Sequence, residues 1–456
     1  MIKRSIIFLF YYLYSISAYS QNHTLDSYIQ IALDSNLALK QKEYSYQKSL
    51  EALKEAKRMY LPSVSFEARY SLAEGGRTMS IPTGDLLNPA YNNLNQINET
   101  LNPGAPKYPE VQNTELNFIR SPDQETKLVA TMPIFNNSII QNHKIKEGFT
   151  EVDKINVEIY KRELVKEVKE AYVKYLQAQQ SRLLYTNTLT AVNQNLKNRQ
   201  SLYKNDKITI DEVYSAEAQV KQIEKFLVEA NKNNYLAIAW FNYLLNRELN
   251  TEIIVDQTLQ LNILSYNLED LKMASVTNRE ELKQLDEYLE IQTNTIRLEQ
   301  GMGLPQINVG AQYGFQGSDY EFNNEGDFAS IGFNLKWDLF TSGQRKSKVN
   351  QAKIERSITE NKKQEVERQV QLEVIEAYYS IQTAMQGIEL AQDELKNYKK
   401  SYDLVEKKYQ QGMVNYLEYS NALNNKLDAE NTLIIAQYGY LLEEIKLERL
   451  TSSYQF

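Results

Sequence analysis

Few residues in this chain are of a type or spacing that does covalent chemistry. Its 456 residues include no cysteine, which excludes disulfides, thiolate metal sites and cysteine nucleophiles. The two histidines stand apart, His23 near the start and His143 in a lysine-rich helix start. A lone histidine of that kind is ordinarily solvated. No Gly-rich phosphate loop and no Gly-x-Ser-x-Gly elbow is present. The carboxylates run along helical sequence, where a solvated face accounts for them. An enzyme is therefore the weakest function class, and no cofactor or metal is implied. Two acids have better-defined places. Glu212 and Glu418 each fall three residues after a polar residue, Thr209 and Asn415, that suits a helix N-cap, the spacing of a capping box. Each closes a turn, Tyr203 to Glu212 and Tyr409 to Glu418, in which Gly412 and either Asn205 or Asp206 fit a left-handed helix end.

The elements that position these turns follow from hydrophobic periodicity. Around 304–340, Ile307, Val309, Ala311, Tyr313 and Phe315 alternate with polar residues or glycine, and so do Ala329, Ile331, Phe333, Leu335, Trp337 and Leu339. Period-two alternation means one apolar face and one wet face. Such a hairpin cannot stand alone in water, so protein core or lipid must cover it. An expanded version occurs earlier: Val64, Phe66, Ala68, Tyr70 and Leu72 alternate in one strand, and Leu128, Ala130, Met132 and Ile134 share a side of its partner. Leu61 and Pro62 open the first hairpin as Leu304 and Pro305 open the second, 243 residues on, which reads as an internal duplication.

The helical sequence repeats as well. Leu164, Val168, Ala171, Tyr175 and Ala178 follow a coiled-coil seam, and 206 residues later stand Val370, Val374, Ala377, Ile381 and Ala384. Residues 138–205 read as one uninterrupted helix, on the order of 100 Å long at ~1.5 Å per residue. Leu25 to Met59 reads as a single helix running into Leu61 and Pro62. Residues 74–123 are rich in proline, glycine and asparagine, with six of the chain's nine prolines, and read as a long external loop.

Lys3 and Arg4 followed by an apolar run and the small residues Ser17, Ala18 and Ser20 predict a signal peptide over 1–20. No later run is long enough for a membrane-spanning helix, so only a closed barrel would carry the chain into lipid. A net charge of −8 argues against a nucleic-acid partner, and 33 tyrosines suit surfaces that are half wet and half apolar. The expected organisation is a first repeat over 21–250, with strands about 61–73 and 124–135 and a helical hairpin at 138–249. An equatorial segment at 251–267 follows, then a second repeat with strands about 304–316 and 328–340 and a hairpin at 343–455.

Paired Leu-Pro strand openings, the run Trp337 to Gly343 leading into a helix, and the doubled turn from a tyrosine to an acid appear in a fixed order. In these features the chain resembles the TolC family of outer-membrane efflux proteins over nearly its whole length. The resemblance implies a mixed α and β membrane protein. Three copies would build a 12-stranded β-barrel, four strands per chain, continued by a periplasmic α-helical barrel. The implied activity is that of a passive channel-tunnel for a tripartite efflux or type I secretion system. Its partners would be a periplasmic adaptor, an inner-membrane pump and outer-membrane lipid. The resemblance also implies a gate at Glu418, Glu212 and Tyr409, and adaptor docking at Asn205, Asp206, Lys207, Ile208 and Thr209 and at Gln411, Gly412, Met413, Val414 and Asn415. Val414 stands where the family can carry arginine, and Asn421 at a second acidic position, which leaves a ring of Glu418 as the sharper gate. Such a ring favours cations. A periplasmic coiled-coil scaffold without channel activity is the alternative.

Overall fold

The computed structural model describes residues 25–255, 266–320 and 323–454. The expected signal peptide and much of the segment 251–267 lie outside the described residues. In chain order the elements are α1 (Leu25–Ser35), α2 (Leu37–Arg58), β1 (Ser63–Ser71), β2 (Thr78–Ile81), α3 (Thr83–Leu101), β3 (Thr114–Asn117), β4 (Asp123–Phe135), α4 (Asn137–Lys204), α5 (Ile210–Leu244), α6 (Leu268–Asn278), α7 (Glu280–Gly301), β5 (Gln306–Gly317), β6 (Asp327–Lys336), α8 (Gln344–Gln410) and α9 (Tyr416–Leu450). They form two units, one of residues up to Glu51, Glu147–Ile291 and Glu355 onward, the other of Ala52–Lys146 and Gln292–Ile354.

The first unit is helical. Helices α4 and α8 have 68 and 67 residues, and α5 and α9 have 35 each. The seam read from the sequence is buried: Leu164, Val168, Ala171 and Tyr175 pack with Tyr28, Tyr172 and Phe241, while Val374, Ala377 and Ile381 pack with Tyr440 and Leu447. Helices α1 and α2 correct the expectation of one helix from Leu25 to Met59. Asn36 breaks it, because its Oδ1 accepts the N–H groups of Ala38 and Leu39, both at 3.0 Å, and caps α2 as a new start. Its Nδ2 donates to the Leu244 carbonyl at 3.0 Å, which ties the break to the end of α5. Near the end of α9, Arg449 is buried between Glu281 at 2.7 Å and Glu163 at 3.3 Å. Arg279 also holds Glu281, at 2.9 Å, and Arg162 holds Glu280 at 2.6 Å. Burial pushes the Glu281 carboxyl up, but Arg449 and Arg279 outweigh it and hold the group below its ordinary value.

The second unit contains a four-stranded antiparallel sheet in the order β1-β4-β5-β6, so β1 and β6 are its edges. Register places the apolar positions of all four strands on one face. Phe66 lies opposite Leu128, Leu128 opposite Tyr313, and Tyr313 opposite Ala329. The next row is Val64, Ala130, Ala311 and Ile331. None of the described residues covers this face: Phe66, Ile331 and Phe333 are 67%, 72% and 74% exposed. The other face is charged and polar, with Lys127 paired to Glu125 at 2.8 Å and Arg69 to Asp123 at 3.0 Å. Gly314 permits the close approach of β4 here, since a Cβ would stand 2.4 Å from the Thr126 carbonyl oxygen. The second hairpin strand is shorter than expected. It ends at Lys336, and Trp337 donates its Nε1–H to the Gly303 carbonyl at 2.9 Å.

Residues 74–123, expected as loop, instead hold α3 and the two-stranded sheet of β2 and β3. Proline and asparagine content hid the helix, yet these residues build it. Pro82 stands at the helix start, where a missing N–H costs nothing. Asn113 Oδ1 accepts from the N–H groups of Gly84 at 3.0 Å and Asp85 at 3.2 Å, capping the helix from across the loop. Asn88 pairs through both side-chain atoms with the Val111 backbone, at 2.9 and 2.8 Å. Asn95 does the same with Tyr108, at 3.1 and 2.8 Å.

Candidate gate at the helical turns

The turn between α4 and α5 and the turn between α8 and α9 share one hydrogen-bond pattern. In the first, Lys207 N–H donates to the Leu202 carbonyl and Asp206 N–H to Tyr203, both at 2.9 Å. In the second, Met413 donates to Lys408 at 2.9 Å and Gly412 to Tyr409 at 3.0 Å. This is the Schellman ending, and it puts Asp206 at φ 55° and Gly412 at φ 73°. Nothing lies within 4 Å of a Cβ on Gly412, so backbone conformation and not space calls for glycine there. Asn205, Asp206, Lys207, Thr209, Gln411, Gly412, Met413 and Asn415 are exposed, while Ile208 and Val414 are half-buried. Asn205 also donates its side-chain amide to the Ser201 carbonyl at 2.7 Å.

The expected capping is present at one turn only. Asn415 Oδ1 accepts from Glu418 N–H at 2.9 Å, whereas Thr209 makes no side-chain cap bond. At Thr209 the backbone does the work, its carbonyl accepting from Glu212 N–H at 3.3 Å.

The gate residues named from the sequence do not come together as a set. Glu418 is exposed, and its carboxylate has no ion-pair partner among the described residues. Tyr409 and Glu212 are joined through Arg199 of α4, which the sequence reading did not single out. Arg199 Nη1 donates to Glu212 Oε2 at 2.8 Å, and the guanidinium carbon lies 3.8 Å from the centroid of the Tyr409 ring. The Arg199 side chain is 10% exposed, so both contacts are made with little water to weaken them. Tyr409 stacks on Tyr419, with ring centroids 4.7 Å apart and planes 15° from parallel, and touches Tyr416 at 5.9 Å. Its hydroxyl is buried with no hydrogen-bond partner. Burial pushes the Tyr409 phenol well above its ordinary range against the pull of Arg199, and pushes Tyr416 up to about 12. Tyr402 donates to Glu406 Oε1 at 3.0 Å, and its hydroxyl lies 3.4 Å from that of Tyr419.

A second polar link joins the hairpins further from the turns. Gln219 of α5 donates to Asn424 Oδ1 of α9 at 2.9 Å and accepts from Ser420 Oγ at 2.7 Å. The turns therefore bring together the α4–α5 and α8–α9 hairpins through one arginine, a tyrosine stack and an amide link. Such an arrangement holds two helical hairpins in one relative position. Among the described residues, no three His, Asp or Glu side chains are grouped to hold a metal ion, and no helix is long and apolar enough to cross a membrane.

Two long helical hairpins and a four-stranded sheet make a fold shared with solved outer-membrane channels. The chain superposes on the Campylobacter jejuni CmeC outer membrane channel with a TM-score of 0.75 and 15% identity, covering 94% of this chain and 85% of that one. The Vibrio cholerae outer membrane protein VceC gives 0.71 and 14%, with 94% and 95% covered. The open state of the Neisseria gonorrhoeae MtrE outer membrane channel gives 0.72 and 14%, with 94% and 88% covered. No curated protein matches the chain. Residues 274–453 match the outer membrane efflux protein family, the one that the TolC-like sequence features point to. That family is one of outer-membrane proteins.

Proposed function

We propose that three copies of this chain form a passive efflux tunnel. Each copy gives β1, β4, β5 and β6 to a shared 12-stranded barrel, and the long helices of the three copies line a periplasmic conduit. The observation that carries this is the open four-stranded sheet, whose apolar face is bare and whose edges β1 and β6 are unpaired. Unpaired strand edges are not tolerated in lipid, and four strands cannot close on themselves, so neighbouring copies must pair with both edges. The charged face, with Lys127, Glu125, Glu67 and Arg69, then meets water inside the barrel. Helix α5 leaves Val228, Tyr235, Leu236 and Trp240 exposed, apolar surface that neighbouring copies would cover.

Equal hairpin lengths and turns that repeat their bonds 206 residues apart support the internal duplication. In this reading the exposed turns, Asn205 to Thr209 and Gln411 to Asn415, dock a periplasmic adaptor, and an inner-membrane pump supplies the energy. The protein contributes a conduit and a gate, not catalysis. Tyr409 and Glu212, joined by Arg199, hold the hairpins closed, and Glu418 from each copy forms the ring that passing ions meet.

Ion conductance of the purified protein in a planar bilayer tests this. The wild type should insert and show a small, cation-selective conductance, and Glu418→Ala should lose most of that selectivity. Insertion with unchanged selectivity in the variant would remove Glu418 from the ion path. A protein that does not insert at all would overturn the barrel and leave a coiled-coil scaffold.

A further inference from the structure

We propose that α3 is an interface between copies of this chain, in which the α3 helices pack on one another through an apolar seam. The inference rests on the barrel proposed above. Ala90, Leu94, Ile97 and Leu101 follow one another at spacings of four, three and four, and Leu86 stands one turn earlier on the same stripe. All five are exposed, Leu86 to 71% and Leu101 to 79%. The helix lies with its sides reversed from those of an ordinary surface helix. Its polar side, Asn88 and Asn95, faces its own loop and is fixed there by paired hydrogen bonds to Val111 and Tyr108. Gly84 fits that side so closely that a Cβ would stand 2.2 Å from the Val111 carbonyl oxygen. The helix therefore cannot roll over to bury its leucines without breaking these bonds.

Two observations select other copies as the occupant. Between Thr83 and Leu101 the charged residues are Asp85 and Glu99, with no lysine or arginine, so anionic lipid headgroups would meet only carboxylates. The helix also leaves from β1 by way of β2, and β1 is a sheet edge that pairs with a neighbouring copy in the closed barrel. A seam at coiled-coil spacing suits its own copy, because identical helices supply both knobs and holes.

The chain has no cysteine, so one introduced thiol reports one contact. Leu94→Cys and, as a control on the far side of α3, Gln96→Cys are made in the full-length protein and oxidised in outer membranes. Disulfide-linked dimers are read on a non-reducing gel, and trimer mass is read by native mass spectrometry. We expect Leu94→Cys to give at least tenfold more dimer than Gln96→Cys, with Leu101→Cys behaving like Leu94→Cys should the first variant assemble poorly. Trimers in which both seam positions stay unlinked, or link no more than the control, would overturn the α3 seam and leave the barrel reading intact. A wild-type protein that is not a trimer would overturn both.

Discussion

Replacing Arg199 by alanine is expected to raise the open fraction of the channel in planar bilayers by roughly a hundredfold. Arg199 lies against the Tyr409 ring at the α4–α5 and α8–α9 turns, and it bridges the two hairpins through Glu212 and Tyr409. Truncation removes a largely desolvated cation–π contact worth about 2 kcal/mol and leaves Glu212 half-buried without its partner. A combined loss of about 3 kcal/mol from the closed arrangement shifts a two-state equilibrium by roughly 100-fold. Arg199→Lys should fall between, because an ammonium keeps the attraction to Glu212 but cannot lie flat on the Tyr409 ring. The readout is time-averaged current at fixed protein number, with thermal unfolding recorded beside it. An Arg199→Ala trimer that inserts, melts like the wild type and conducts no more than it does would take Arg199 out of the gate.

Arg449→Leu is expected to cost the fold about 3 kcal/mol at neutral pH without moving ion selectivity. The guanidinium is 8% exposed and holds Glu281 and Glu163, so its removal leaves two acids short of a cation in a poorly hydrated place. Arg279 still holds Glu281, which keeps the loss at the lower end of the range for a broken buried pair. The pH dependence follows from the direction of the Glu281 shift. Its carboxyl is held below the ordinary value near 4.5, so its contribution is complete above that value and is lost as pH falls through the lower, folded value. The stability gap between wild type and variant, measured by thermal unfolding, should therefore be widest at neutral pH and narrow below about pH 4.5. A gap independent of pH would show that Arg449 is not what holds the Glu281 carboxyl down.

The strand faces were legible because period-two alternation survives any arrangement of neighbours. Phe66, Leu128 and Tyr313, read separately as apolar positions, meet in one row. The coiled-coil seam was legible for the same reason. Asn36 was hidden, because a helical run with no proline gives no local signal that an asparagine will choose to cap. In α3 the composition misled: asparagine there acts as a tether to Val111 and Tyr108 and not as a loop former. Arg199 leaves a trace in the sequence. Continued at its own spacing, the α4 seam runs through Leu189, Val192 and Leu196 to Arg199, and the residue 206 positions on is Val405. A charge on an apolar seam needs a partner, and the partners Tyr409 and Glu212 come from other helices, which spacing along one helix does not reveal.

In the proposed gate, the hydroxyl of Tyr409 gives the tip a preference of its own. Buried as described, it is a dry donor with no partner among the described residues, a state that costs about 1–3 kcal/mol relative to a hydrated one. Any separation of the hairpins wets it. In the proposed gate the arrangement is thus a spring held compressed by the Arg199 latch. A partner that displaces the latch by a small amount needs to supply little further force, because the tyrosine itself drives the rest of the opening.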